Sequence, residues 1–161
     1  MSIRFNADEI FAMAVQIERN GQAFYQIAAD SQKDEATRAY FQELVDMEKE
    51  HVAIFQKMRE EFSDAGESMD LYDEAGQYLA TMADGHKVEG SPRLTATLTG
   101  EETMEEILRL AIGLEKDAVL FYLGMKDVVP ETLGRDKVDW IIEEEKQHLV
   151  TLTAKLKALT E

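Results

Sequence analysis

Apolar residues recur every three or four positions through four long stretches of the chain. These run from about residue 7 to 29, from 34 to 62, from 103 to just before Pro130, and from 135 to 159. Such a period predicts amphipathic helices with one buried face, and no convincing strand alternation interrupts it. Asn6 followed by Glu9, and Thr103 followed by Glu106, have the spacing of capping boxes that open the first and third helices. The first two helices are joined around "DSQKD" and the last two through "VVPETLG", so each pair should be an antiparallel hairpin. A longer crossover, with the turn-forming runs "AGES", "ADG" and "EGSPR", separates the pairs. Residues 70–84 within it predict a short extra helix. The expected fold is all-α: a four-helix bundle of two antiparallel pairs joined by a long crossover. Neither pair could bury its apolar face alone, so residues 1–161 are read as a single domain.

The same periodicity sorts the charged residues by face. Positions −7, −4, +3 and +7 from a given residue share its side of a helix. Around Glu48 these are Phe41, Leu44, His51 and Phe55, and around Glu145 they are Val138, Ile141, His148 and Leu152. Around Glu18 they are Phe11, Ala14, Gly21 and Tyr25, and around Glu115 they are Leu108, Ala111, Ala118 and Tyr122. Each helix therefore carries one glutamate inside its apolar stripe. Glu50 lies about 200° around the helix from Glu48 and should face solvent.

The halves also repeat. At an offset of 97 residues "IERNGQAFY" falls on "LEKDAVLFY", and "LVDMEKEHV" falls on "IIEEEKQHL". Glu18 meets Glu115, Tyr25 meets Tyr122, Glu48 meets Glu145, and His51 meets His148. One common offset in two separate segments points to a duplicated site.

Composition narrows the chemistry. With no cysteine, the chain can form no disulfide, thiolate zinc site, iron–sulfur cluster or cysteine nucleophile. A formal charge of −16 repels phosphate backbones, which argues against nucleic acid, and attracts cations; solubility accounts for most of it. No apolar run is long enough to span a membrane and "MSIRFNADEIF" is no signal peptide, so a cytoplasmic protein is expected.

Four inward carboxylates demand compensation, because burying one unpaired ionised carboxylate costs several kcal/mol. The inward faces offer no lysine or arginine at these positions, only His51 and His148, each three residues after a glutamate. In Glu-x-x-His the two side chains lie one turn apart on one face and can reach one metal. Four carboxylates and two neutral imidazoles suit two divalent ions. The mixed oxygen and nitrogen donors favour iron or manganese, and zinc can also bind.

The order Glu18, Glu48-x-x-His51, Glu115, Glu145-x-x-His148 on four helices resembles the ferritin-like di-iron carboxylate proteins. Within them it most resembles rubrerythrin-like members without a rubredoxin domain, over nearly the whole chain. The resemblance implies a ferritin-like bundle with two iron ions. Glu18 and Glu115 would be terminal ligands, Glu48 and Glu145 would bridge, and His51 and His148 would complete the two metals. It also implies that Tyr25 and Tyr122 hydrogen-bond to ligands or accept an oxidising equivalent, and that the chain forms a homodimer. Peroxidase members carry a further glutamate where this chain has Ala118. Typical members draw electrons from a four-cysteine iron site, so this chain would need a separate electron-donor protein or the substrate iron itself.

Three functions are open from these residues: a redox enzyme acting on dioxygen or hydrogen peroxide, a ferritin-type protein oxidising and storing ferrous iron, or a bundle neutralised by redox-inert zinc. Among the remaining polar groups, Glu144 stands four residues before His148 and could orient its imidazole. Its counterpart Met47 cannot do this for His51, so Glu144 is read as solvated. His86 is read as a surface residue, and Trp140 as packing at a helix or dimer boundary.

Overall fold

The computed structural model describes residues 6–66, 69, 71–86 and 98–161. Helix α1 spans Ala7–Asp30, α2 Glu35–Ala65, α3 Glu74–His86, α4 Met104–Val128 and α5 Arg135–Thr160. No strand occurs among the described residues. Both predicted capping boxes form. Asn6 Oδ1 accepts from the Glu9 amide while Glu9 accepts from the Asn6 amide, and Thr103 and Glu106 do the same for α4. Asp34 caps α2 by accepting from the Thr37 amide. These side chains satisfy amides that a helix N-terminus leaves without partners.

The pairing is the one the short connections predict. Phe11 near the start of α1 packs on Phe62 near the end of α2, while Tyr25 near the end of α1 stacks on Phe41 near the start of α2. The two helices are therefore antiparallel. Lys126 near the end of α4 pairs with Asp139 near the start of α5, and Glu115 earlier in α4 meets His148 later in α5. Between α4 and α5, Pro130 opens a single 3-10 turn, Glu131–Leu133, and Gly134 closes it at φ 106, a left-handed conformation that favours glycine.

The extra helix begins at Glu74, four residues later than its periodicity predicts. The Asp73 carboxylate accepts from the Gly76 amide at 2.8 Å and starts the helix there. Helix α3 packs on α4 at Gly124, where an added Cβ would lie 2.7 Å from the Tyr78 ring. That close approach brings Leu79 into the core. Much of the rest of the crossover, including "EGSPR", lies outside the described residues, as does the side chain of His86.

The buried apolar residues form two clusters. One gathers Phe11, Phe55, Phe62, Phe121, Met125 and Ile141, from the start of α1 and α5 and the end of α2 and α4. The other gathers Phe24, Phe41, Leu44, Leu108 and Leu152 from the opposite ends. Glu18, Glu48, Glu115 and Glu145 fall between the two along α1, α2, α4 and α5, as a polar layer with an apolar plug on either side.

Candidate metal centre

The predicted stripes face the core. Phe41, Leu44, Phe55, Val138, Ile141, Leu152, Phe11, Ala14, Leu108 and Ala111 are all buried around the four glutamates. Among the described residues the buried polar or charged side chains are Glu18, Glu48, His51, Glu115, Glu145 and His148, the six that periodicity and repetition single out. Glu50 is exposed, as its position on the helix predicts.

These six form two overlapping groups. Ligand atoms of Glu18, Glu48, His51 and Glu145 lie within 4.8 Å of one another, and so do those of Glu48, Glu115, Glu145 and His148. Glu48 and Glu145 belong to both. His51 Nδ1 is 3.2 Å from Glu18 Oε2, 3.8 Å from Glu48 Oε2 and 2.8 Å from Glu145 Oε1. His148 Nδ1 is 3.4 Å from Glu115 Oε1, 3.8 Å from Glu48 Oε1 and 3.2 Å from Glu145 Oε2. Each shared glutamate thus turns one oxygen toward each histidine, which is the disposition a carboxylate needs to bridge two ions.

Protons compensate the charge when no metal is bound. Burial, with the neighbouring charges of Glu18 and Glu145, pushes the Glu48 carboxyl well above its ordinary value. Burial and the Glu145 charge do the same to Glu115. Burial opposes a charge on either histidine, but the surrounding carboxylates outweigh it, raising His51 to about 11 and His148 to about 10. Burial would also raise Glu145, yet contacts with Glu115, His148 and His51 hold it below the usual carboxylate range. Acidic oxygens that share protons with imidazoles in a dry layer are a donor set that divalent ions can take over.

The tyrosines cross between the halves. The Tyr25 hydroxyl donates to Glu115 Oε1, and the Tyr122 hydroxyl donates to Glu18 Oε1. Each reaches the glutamate of the opposite pair rather than the one two turns before it on its own helix. Burial raises both phenols well above their ordinary value, as do the nearby carboxylates, so both remain hydrogen-bond donors.

Glu144 corrects the sequence-based expectation. Its Oε2 lies 3.1 Å from His51 Nε2, and its side chain is only 26% exposed. It is neither a freely solvated glutamate nor a partner of His148. Helix spacing compares residues on one helix, whereas Glu144 projects from α5 toward α2. Trp140, one turn earlier and half exposed, sets its ring edge-on to His51 at 5.9 Å. The facing of α2 and α5 could have signalled both contacts, but spacing within one helix could not.

The rubrerythrin family model matches residues 9–107, more than half of the chain. The chain belongs to the rubrerythrin family. The matched span carries Glu18, Glu48 and His51, and the internal repeat supplies their counterparts beyond it. A crystal structure from Thermotoga maritima, titled as a ferritin-like diiron-carboxylate protein, superposes with a TM-score of 0.71 over 96% of each chain at 23% identity. That likeness shows the fold: a ferritin-like helical bundle. No curated protein matches the chain. Family and buried cluster together make this a metal-binding protein of the di-iron carboxylate class.

Proposed function

We propose that Glu18, Glu48, His51, Glu115, Glu145 and His148 hold two iron ions and that the protein is a redox enzyme acting on dioxygen or hydrogen peroxide. The observation that carries this reading is the pair of overlapping ligand groups sharing Glu48 and Glu145, each with its own terminal glutamate and histidine. When bound, iron supplies the electrons and the Lewis acidity for reducing an oxygen species. The chain's own part is positional. Glu48 and Glu145, which belong to both groups, would be shared by the two ions, and Glu18 and Glu115 would each hold one. Tyr25 and Tyr122 each donate to one oxygen, Oε1, of Glu115 and of Glu18, which fixes how those carboxylates are turned. The apolar clusters on either side keep bulk water from the layer.

Manganese or zinc suits the same donors, and iron is favoured because the family is a di-iron family. With no cysteine in the sequence, reducing equivalents come from a separate donor protein or from ferrous iron as substrate. A reducing compartment, the cytoplasm, is the proposed setting. Among the described residues no helix is long and apolar enough to cross a membrane.

Anaerobic reconstitution with Fe(II), followed by separate exposure to dioxygen and to hydrogen peroxide, tests the reading by optical and Mössbauer spectroscopy. The expected result is two irons per chain, oxidised by at least one oxidant with repeated turnover when a reductant is supplied. Two bound irons that neither oxidant changes would overturn the redox assignment. A single oxidation followed by retention of many irons per chain would favour storage.

A further inference from the structure

The two halves of the centre are not equal. The outer nitrogen of His51, Nε2, meets Glu144 Oε2 at 3.1 Å. The outer nitrogen of His148 is buried and has no hydrogen-bond partner among the described residues. At the offset that relates the halves, Met47 occupies the place of Glu144, and a thioether offers no carboxylate oxygen. The repeat thus differs at the position that supplies the acceptor to His51, and likewise at Trp140, whose counterpart is Glu43.

Resting on the ligand set proposed above, we infer that the metal position completed by His51 binds its ion more tightly than the one completed by His148, with Glu144 as its positioning residue. Both imidazoles turn Nδ1 toward the carboxylates, so Nε2 carries the hydrogen when metal is bound. At His51 that hydrogen is donated to Glu144. The bond selects the tautomer, fixes the ring and makes Nδ1 a stronger donor. Trp140, edge-on to the same ring, confines it further. At His148 only packing confines the outer side of the ring, and the buried Nε2–H stays without a partner whether or not metal is bound. The ions then load in order. Under limiting metal a one-ion form with His51 occupied accumulates, and the His148 position exchanges its ion first.

Anaerobic titration with Co(II), followed by calorimetry and by cobalt absorption in the visible, tests this without any turnover. The wild-type chain should bind two ions in two resolved steps. Glu144→Ala should weaken the first step about 10- to 100-fold and leave the second, merging the two. Glu144→Gln keeps an acceptor oxygen and should recover part of that loss. Met47→Glu should strengthen the second step and leave the first, a gain that damage to the fold would not produce. Two ions bound by the wild type at one affinity, or Glu144→Ala weakening both steps alike, would overturn the inference while leaving a two-metal site intact. Fewer than two cobalt ions bound by the wild type would instead sink the two-metal reading, and the inference with it.

Discussion

Glu48 and Glu50 stand two positions apart on α2 and meet opposite environments. Glu48 is buried beside two histidines, and Glu50 is in solvent. Glu48→Ala or His148→Ala should therefore lower the number of metal ions bound per chain, and Glu50→Ala should not. Elemental analysis after reconstitution decides it, and equal loss in all three variants would refute the assignment of faces. Proton linkage gives a second expectation. His51 and His148 hold their protons up to about 11 and about 10, and Glu48 and Glu115 are also raised. Around neutral pH a binding ion must displace more than one proton. Apparent metal affinity should thus fall as pH is lowered and rise with pH by more than about tenfold per unit. Titrations in buffers of different ionisation enthalpy would count the protons released. The crossed tyrosines belong to this scale too. Tyr25→Phe and Tyr122→Phe each remove a buried hydroxyl that donates to a glutamate. Each should lower the stability of the metal-free protein by about 1–3 kcal/mol in urea unfolding.

At the scale of elements, the helices are legible because their signals are local. Period, caps and Pro130 place α1, α2, α4 and α5 to within a few residues. The start of α3 was less legible, because the Asp73 cap overrides an apolar period that begins earlier. How α3 seats is a packing matter that its own sequence does not contain. Gly124 on α4 lets the Tyr78 ring approach to a distance that no Cβ would allow. Gly124→Ala should push α3 away from α4 and destabilise the fold by about 1–3 kcal/mol, the range for overpacking, despite alanine's better helix propensity. Thermal unfolding measures the loss.

For the whole molecule, the bundle holds a layer of carboxylates and imidazoles between two apolar clusters. Such a layer is a burden on folding in the absence of cations. Ions that bind only the folded chain stabilise it by mass action, about 2.7 kcal/mol per site at free metal 100-fold above its Kd. The melting temperature should rise with added Fe(II) under anaerobic conditions and fall back on chelation. The Glu48→Ala variant should show a much smaller rise. A melting temperature indifferent to metal in the wild type would contradict binding at a site built from α1, α2, α4 and α5.

The sequence by itself determined which six side chains turn inward, because a helix of fixed period assigns every residue to a face and the duplicated pattern marks the same faces twice. It determined the antiparallel pairs, because short connections leave no alternative. Tertiary structure alone decided which groups meet across the bundle. Tyr25 reaches Glu115, Tyr122 reaches Glu18, and Glu144 serves His51 rather than the histidine on its own helix. The physical reason is that spacing along a helix fixes direction about that helix's own axis. Partners on another helix depend on how far each one is rotated and shifted against its neighbour, and that is settled by the packing of the apolar clusters.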